Sequence, residues 1–302
     1  MQGSDRAPAS KPNQRIKLGP GLHIVATPIG AAADITLRAL QTLASADVIA
    51  CEDTRVTQKL LAIHGVRTPL LPYHEHNAER MRPQLLARMA AGEAVALASD
   101  AGTPLISDPG FKLVREAAAA GLPIASLPGA CAAIVALTLS GLPSDRFLFA
   151  GFPPAKQGAR RSEFAELAAL RATLIFYESA RRLPESLADM AFVFGDREIA
   201  VARELTKLYE EVRRGGLAEL AAHYAAAGPP KGEVVVVVGP PKAEQGETSG
   251  ADLDRLLRDA MARLSLRDAA AEIAMATGLP KKQVYARALA LAQGAETERD
   301  GR

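Results

Sequence analysis

The sequence predicts an α/β protein made of two consecutive α/β domains followed by a small helical module. Three features lead there. Short apolar runs alternate with helical patterns through the first half, the alternation resumes after a break at 141 to 144, and only helical patterns follow a Gly/Ser/Glu-rich stretch near residue 250. Apolar strands separated by helix-length segments fold as strand and crossover-helix units, which set the strands side by side in a buried sheet.

Residues 1–20 are polar, basic and Pro-bearing and read as a flexible tail without the apolar segment of a signal peptide. The first domain, 21–142, opens with LHIVA at 22 to 26 as a strand and TLRALQTLASA as a helix. DVIAC at 47 to 51 is the next strand, TQKLLAIHG and ERMRPQLLARMAAG are helices, and AVALA at 94 to 98 is a strand apolar at every position. FKLVREAAAAG reads as a helix, and GLPIASLPGACAAIVALTLSGLP supplies a strand, a Pro-Gly turn and a further helix. That last helix has no polar face for water, so it is expected to be buried. GLPSD then breaks the pattern and opens the second domain, 143–242, with RFLFAGF, TLIFYES, EIAVARELT and GEVVVVVG as strands between Leu- and Ala-rich helices. AEQGETSGA at 243 to 251 has the composition of a linker. The module at 252–302 divides at Ser265 and Gly278: Ser265 with Asp268 resembles a helix cap pair, and Ala274, Gly278 and Val284 have the spacing of a helix-turn-helix core.

The 302 residues, 48% hydrophobic and 23% charged, are enough for two cores. Net charge is only +2, so an anionic partner must be met by a local basic patch. With no Trp and 4% aromatics, recognition by extensive base stacking has few tools. Cys51 and Cys131 show no metal-ligand spacing and read as reduced thiols of a cytoplasmic protein. The strongest apolar run, VVVVV at 234 to 238, is far too short to span a bilayer, so no membrane partner is expected.

Familiar cofactor motifs are missing. The turn after the first strand, ATPIGAAADI, holds a single glycine, Gly30, while GPG at 19 to 21 precedes the strand, and no Walker A pattern occurs. In their place stand four turns at strand ends: TPIG at 27 to 30, CEDTR at 51 to 55, SDAGTPLISDPG at 99 to 110 and PGACAA at 128 to 133. Ligands of open α/β sheets bind at the carboxyl ends of the strands, so four such turns define one candidate site. Glycines and the small residues Ala101, Thr103, Ala130 and Ala132 leave room for a ligand. Asp and Ser before Gly or Pro are also ordinary turn formers, and Ser107-Asp108-Pro109 is expected to cap the helix that starts at Phe111.

At these residues the chain resembles the tetrapyrrole methylase superfamily, and within it the branch that methylates ribosomal RNA. The resemblance rests on VATPIG, ACEDTR, YHEHNAE, SDAGTPLISDPG, LPGACAA, GLPSDRFLFAGF, IFYESARR, ARELTK and KGEVVVVV, in order over about 21 to 240. It implies S-adenosylmethionine bound in a cleft between the two α/β domains and a homodimer. It also implies methyl transfer to the ribose 2′-hydroxyl of a cytidine in the decoding region of 16S rRNA, in an assembled or nearly assembled small subunit. Carried over by position, Pro28, Ser99, Asp100, Thr103, Cys131 and Ala132 would line the cofactor pocket from the first domain, and Tyr177, Glu178 and Glu204 from the second. Tetrapyrrole enzymes carry a Gly-Asp-Pro turn where this chain has Ser99-Asp100-Ala101 in a longer loop, a departure that weakens a tetrapyrrole substrate.

A ribose hydroxyl is a poor nucleophile until it loses its proton, so a general base is expected within hydrogen-bond reach. Glu52, Asp53, Asp108 and Glu178 are candidates, with Arg55 or Lys207 to polarise the oxygen or hold a phosphate, and the sequence does not choose among them. His74 and His76 alternate on a loop without a third ligand, so no metal is expected. Lys156, Arg160 and Arg161 in the expected loop PAKQGARRSE, and Arg181 with Arg182, flank the expected cleft. Surface basic pairs are usually just solvated, and phosphate contacts at these positions would make binding fall steeply with salt. Two rival readings remain at this stage: a methyltransferase for a tetrapyrrole precursor or protein side chain, and a non-catalytic RNA-binding assembly factor.

Overall fold

The computed structural model describes residues 15–242, 250–277 and 279–300. Most of the predicted tail and of the predicted linker, and Gly278, lie outside the described residues. The chain divides into two compact units between Pro240 and Pro241.

The first unit holds two five-stranded sheets. Strands β1 (Gly21–Val25), β2 (Val48–Cys51), β3 (Leu70–Pro72), β4 (Ala94–Ala98) and β5 (Ile124–Leu127) are all parallel, in the order β3-β2-β4-β1-β5. β4 lies between β2 and β1 with all five residues buried, which is why its sequence is apolar without alternation. Helices α1 (Leu37–Ser45), α2 (Thr54–Ile63), α3 (Ala78–Ala90) and α4 (Phe111–Ala119) connect the strands. One apolar cluster gathers Leu43, Ile49 and Leu61, and a second gathers Leu22, Leu85, Leu97 and Leu113. α2 starts three residues earlier than its apolar pattern suggests, because Asp53 caps it by accepting from Arg55 N at 2.8 Å.

The second sheet runs β6 (Phe147–Gly151), β7 (Thr173–Ser179), β10 (Glu233–Val238), β8 (Glu198–Arg203) and β9 (Glu211–Gly216). Only β6 and β7 pair in parallel. Helices α6 (Gln157–Leu167), α7 (Leu183–Phe194) and α8 (Leu217–Ala227) build one apolar layer with it, around Phe164, Phe176, Leu187 and Leu220. A separate layer joins the sheet to α5 (Ala132–Ser140), the helix that follows β5. Its Ala133, Ala136 and Leu137 share a cluster with Ile175, Ala200 and Val235. The expectation that α5 is buried all round needs correction: Ile134 is 42% exposed.

Residues of the expected loop PAKQGARRSE form the start of α6, and this removes Arg160 as a phosphate contact. Arg160 is 1% exposed, with Nη2 2.5 Å from Asp189 Oδ2 and Nη1 donating to Ala155 O at 3.1 Å. Arg161 Nε donates to the other oxygen of Asp189 at 2.6 Å.

The second unit contains α9 (Gly250–Met261), α10 (Leu266–Thr277) and α11 (Lys281–Asp300), packed around Leu257, Ala260, Ala269, Ile273, Val284 and Ala288. Gly250 and Ala251, expected in the linker, belong to α9. Ser265 Oγ accepts from Asp268 N at 3.2 Å and donates to Asp268 Oδ2 at 2.6 Å, so the cap pair read from the sequence forms. Among the described residues no helix is long and apolar enough to cross a membrane.

Candidate active site

The four turns knit into one body. Thr27, just past β1, and Gly102, past β4, exchange backbone hydrogen bonds of 2.9 and 3.1 Å. Thr27 Oγ1 donates to Ser99 O at 3.0 Å, and Ser99 Oγ donates to Gly102 O at 2.9 Å. Asp100 Oδ1 accepts from Asp53 N at 2.9 Å, which ties in CEDTR, and Thr103 Oγ1 donates to Ala130 O at 2.9 Å, which ties in PGACAA. Gly102 has φ +84°, open to glycine at little cost, whereas Leu105 and Ser107 adopt φ of 74° and 65° with side chains attached. Such conformations cost on the order of 1–3 kcal/mol each and persist where the surroundings over-determine them.

The second sheet supplies the facing wall. Tyr177 of β7 sits edge-to-face against Phe149 and Phe152, at 4.8 and 5.5 Å between ring centres, and its hydroxyl accepts from Ala133 N at 3.2 Å. The turn after β8 reaches across to the first domain with Glu204 and Thr206 at φ of 49° and 61°. Thr206 Oγ1 accepts from Ala31 N at 3.0 Å, and a Cβ at Gly30 would lie 2.6 Å from Lys207 Cγ. Gly30 is therefore required by the close approach of this turn.

Between the walls is a cavity of about 470 Å³, within the ~300–1,000 Å³ usual for small-molecule sites. The first domain lines it with 101–103, 106–108, Ile29 and Ala132, and the second with Phe152, 177–181, Ala202, Leu205 and 232–235. Asp108 faces it with its carboxyl pushed up to about 6, first by burial and then by the nearby Glu52 carboxylate, against a hydrogen bond from Ser99. Glu52, half-buried behind it, is also raised, by burial and by Asp100.

Among the residues singled out in the sequence, Thr103, Asp108, Ala132, Tyr177 and Glu178 line the cavity, whereas Pro28, Ser99, Asp100, Cys131 and Glu204 do not. The Glu178 carboxylate is turned away and fully covered: it accepts from Ser186 Oγ and Ser179 N and pairs with Arg182 at 2.6 Å, so it is not free to act as a base. Asp53 is corrected from candidate base to helix cap, held to about 2 by the Arg55 hydrogen bonds that also occupy Arg55. Lys207 Nζ lies 2.9 Å from Glu204 and 2.8 Å from Glu233, so in this structure it clamps the turn after β8 to the start of β10. The Ser107-Asp108 helix cap does not form, because Gly110 holds the cap position of α4 without a side-chain bond. Arg181, read from the sequence as a basic residue flanking the cleft, lines the cavity, as do Phe152, Leu205 and Glu233, which the sequence did not single out although RFLFAGF, ARELTK and KGEVVVVV contain them. Among the described residues no cluster of three His, Cys, Asp or Glu side chains could hold a metal.

A family model described as Tetrapyrrole (Corrin/Porphyrin) Methylases matches residues 21–221, and one described as RsmI C-terminal HTH domain matches 247–292. A Mesorhizobium japonicum protein named Ribosomal RNA small subunit methyltransferase I is 54% identical, covering 91% of this chain and 93% of its own. Proteins of the same name from Erythrobacter litoralis and Escherichia coli O157:H7 are 55% and 46% identical, covering 91% and 89% of this chain and 96% and 94% of theirs. A solved uroporphyrin-III-C-methyltransferase from Thermus thermophilus is similar in fold, with a TM-score of 0.53 at 24% identity over 72% of this chain and 93% of that one. A solved diphthine synthase reaches 0.54 at 18% identity over 72% and 89%. With its sheets, its cavity and these near-full-length likenesses together, the chain belongs to the tetrapyrrole methylase family and, within it, to the ribosomal RNA small subunit methyltransferase I group.

Proposed function

We propose that the protein transfers a methyl group from S-adenosylmethionine to the 2′-hydroxyl of a cytidine in the decoding region of 16S rRNA. It does so in the cytoplasm, as a homodimer, on a small subunit that is assembled or nearly so. The observation that carries the reading is the 54% identity over 91% of the chain to a relative named for small-subunit rRNA methylation. The cavity suits the cofactor in kind: backbone is accessible at Gly102 and Thr103, Ile29, Ala132 and Leu205 give an apolar lining, and Tyr177 closes one side.

Bound S-adenosylmethionine supplies a methyl group already activated on a sulfonium centre, so holding the acceptor in line contributes much of the rate. Thr103, Ala132, Tyr177 and Leu205 hold and enclose the cofactor, and Ile29 and Phe152 keep water from it. Asp108 takes the proton of the acceptor hydroxyl, being ionised above a pH of about 6 and close enough to neutrality to serve as a general base. Ser99, Asp100 and Cys131 support this wall from behind, and Glu204 fixes the Leu205 turn through Lys207 and Glu233 N.

The test uses purified protein, labelled S-adenosylmethionine and small subunits from cells lacking the gene, with the product mapped by resistance to alkaline cleavage. The expected result is one methylated cytidine, lost in Asp108→Asn while cofactor binding persists. Cofactor binding without label in RNA would shift the acceptor to a tetrapyrrole or a protein side chain, and no transfer to any acceptor would leave a binding protein.

A further inference from the structure

We infer that Arg181 holds a phosphodiester of the acceptor strand at the mouth of the cavity, an assignment that rests on the RNA-methylating reading above. The cavity presents an electrostatic problem for a polyanion. Asp108 and Glu233 line it, and Glu52 and Asp100 stand behind Asp108 closely enough to raise its proton affinity. A nucleic-acid backbone approaching that wall needs a cation near the entrance, and most arginines and lysines around it are already engaged. Lys207 is bound by two carboxylates, and Arg55 is held by Asp53. Arg182 pairs with Glu178 at 2.6 Å and donates to Pro153 O at 3.2 Å.

Arg181 differs from its neighbour. It lines the cavity, is exposed, and forms no ion pair with an acid among the described residues. Its backbone is nevertheless fixed, since Arg182 N donates to Ser179 O at 2.9 Å and Leu183 N to Ala180 O at 3.3 Å. A free guanidinium on a rigid turn loses little backbone entropy on binding, and its planar fork matches two phosphate oxygens. Its exposure points to a chain running past the mouth and not to the carboxylate of an enclosed cofactor.

The experiment measures turnover of small subunits from cells lacking the gene, at several salt concentrations, with Arg181→Ala and Arg181→Lys in the full chain. Arg181→Ala is expected to raise the KM for subunits about tenfold, as loss of one charge-assisted hydrogen-bonding group does. kcat and the KM for S-adenosylmethionine should change little, and the log-log salt dependence should flatten by about 0.7 for one released single-strand phosphate. Arg181→Lys should recover part of the affinity. An unchanged KM for subunits and an unchanged salt slope overturn the assignment. A rise confined to the KM of S-adenosylmethionine also overturns it, by moving Arg181 to the cofactor carboxylate. If the unaltered protein labels no RNA, the proposed function itself falls, and this assignment with it.

Discussion

Replacing Asp108 with Asn should stabilise the protein and inactivate it at once. The carboxyl has an ordinary value of 3.8 and is pushed up to about 6 where it faces the cavity, chiefly by burial and the Glu52 charge. Between those two pH values the folded chain holds a proton that the unfolded chain has released. Stability therefore falls as pH rises through that window, and above it the whole penalty is present. At about 1.4 kcal/mol per tenfold change in proton affinity the gap is worth about 3 kcal/mol. Asp108 is only half-buried, and solvent screening reduces this to about 1–1.5 kcal/mol. Asn matches the neutral carboxyl in size and can still hydrogen-bond Ser99 Oγ, so the variant keeps the contact and loses the charge. Urea midpoints of both proteins at pH 8 and at pH 3.5 make the comparison: the variant should be more stable at pH 8, and the difference should vanish at pH 3.5. Equal midpoints at pH 8, or a variant weaker at both, would refute the reasoning that the cavity disfavours this charge. In the same preparations, wild-type kcat/KM should fall as pH drops through about 6, while Asn at this position leaves no such inflection.

Other positions give further tests. Gly30→Ala places a methyl 2.6 Å from Lys207 Cγ and Thr206 Oγ1, so the turn that carries Leu205 must withdraw, at a cost of about 1–3 kcal/mol in a melt and with weaker cofactor binding by calorimetry. Asp189→Ala strands the buried Arg160 guanidinium and should lower stability by about 3–5 kcal/mol in denaturant titrations. Tyr177→Phe removes the acceptor of Ala133 N and should cost about 1 kcal/mol, with a raised KM for S-adenosylmethionine. Ser265→Ala removes the α10 cap and should destabilise the helical unit alone by about 1 kcal/mol, read from its own amide-exchange rates.

Much of the fold was legible because its strands are extreme. AVALA and VVVVV could only be covered strands, and their flanking turns marked where a ligand would sit. What escaped the sequence was small or polar. β3 is three residues ending in Pro72 at a sheet edge, and β9, EVRRGG, is an edge strand of charges and glycines in which Glu211 pairs with Arg203 and Arg213. The start of α6 reads as a basic loop, since nothing in QGARRSE announces that Arg160 turns inward to Asp189, twenty-nine residues away. The four turns of the site could be read from their glycines and acids, but the roles of their side chains could not. Asp53 and Asp108 look equally acidic in sequence, and only the Arg55 fork on one and the covered surroundings of the other push their proton affinities in opposite directions. Arg181 and Arg182 are likewise indistinguishable until one is seen to bind Glu178.

The position of α5 fixes the order in which this protein can become an enzyme during synthesis. Its apolar residues cluster with strands that are all made after it, and β10, the strand that joins β7 to β8, is the last of them. On the ribosome the helix waits for roughly 100 residues, about 5–20 s at ordinary elongation rates, before the surface it covers is complete. The nascent chain is most open to mispairing and to chaperones in that interval. For the same reason, cutting the chain at Gly141 yields two pieces, each with one wall of the cavity, and activity should return only when the pieces are mixed and the helix finds its sheet.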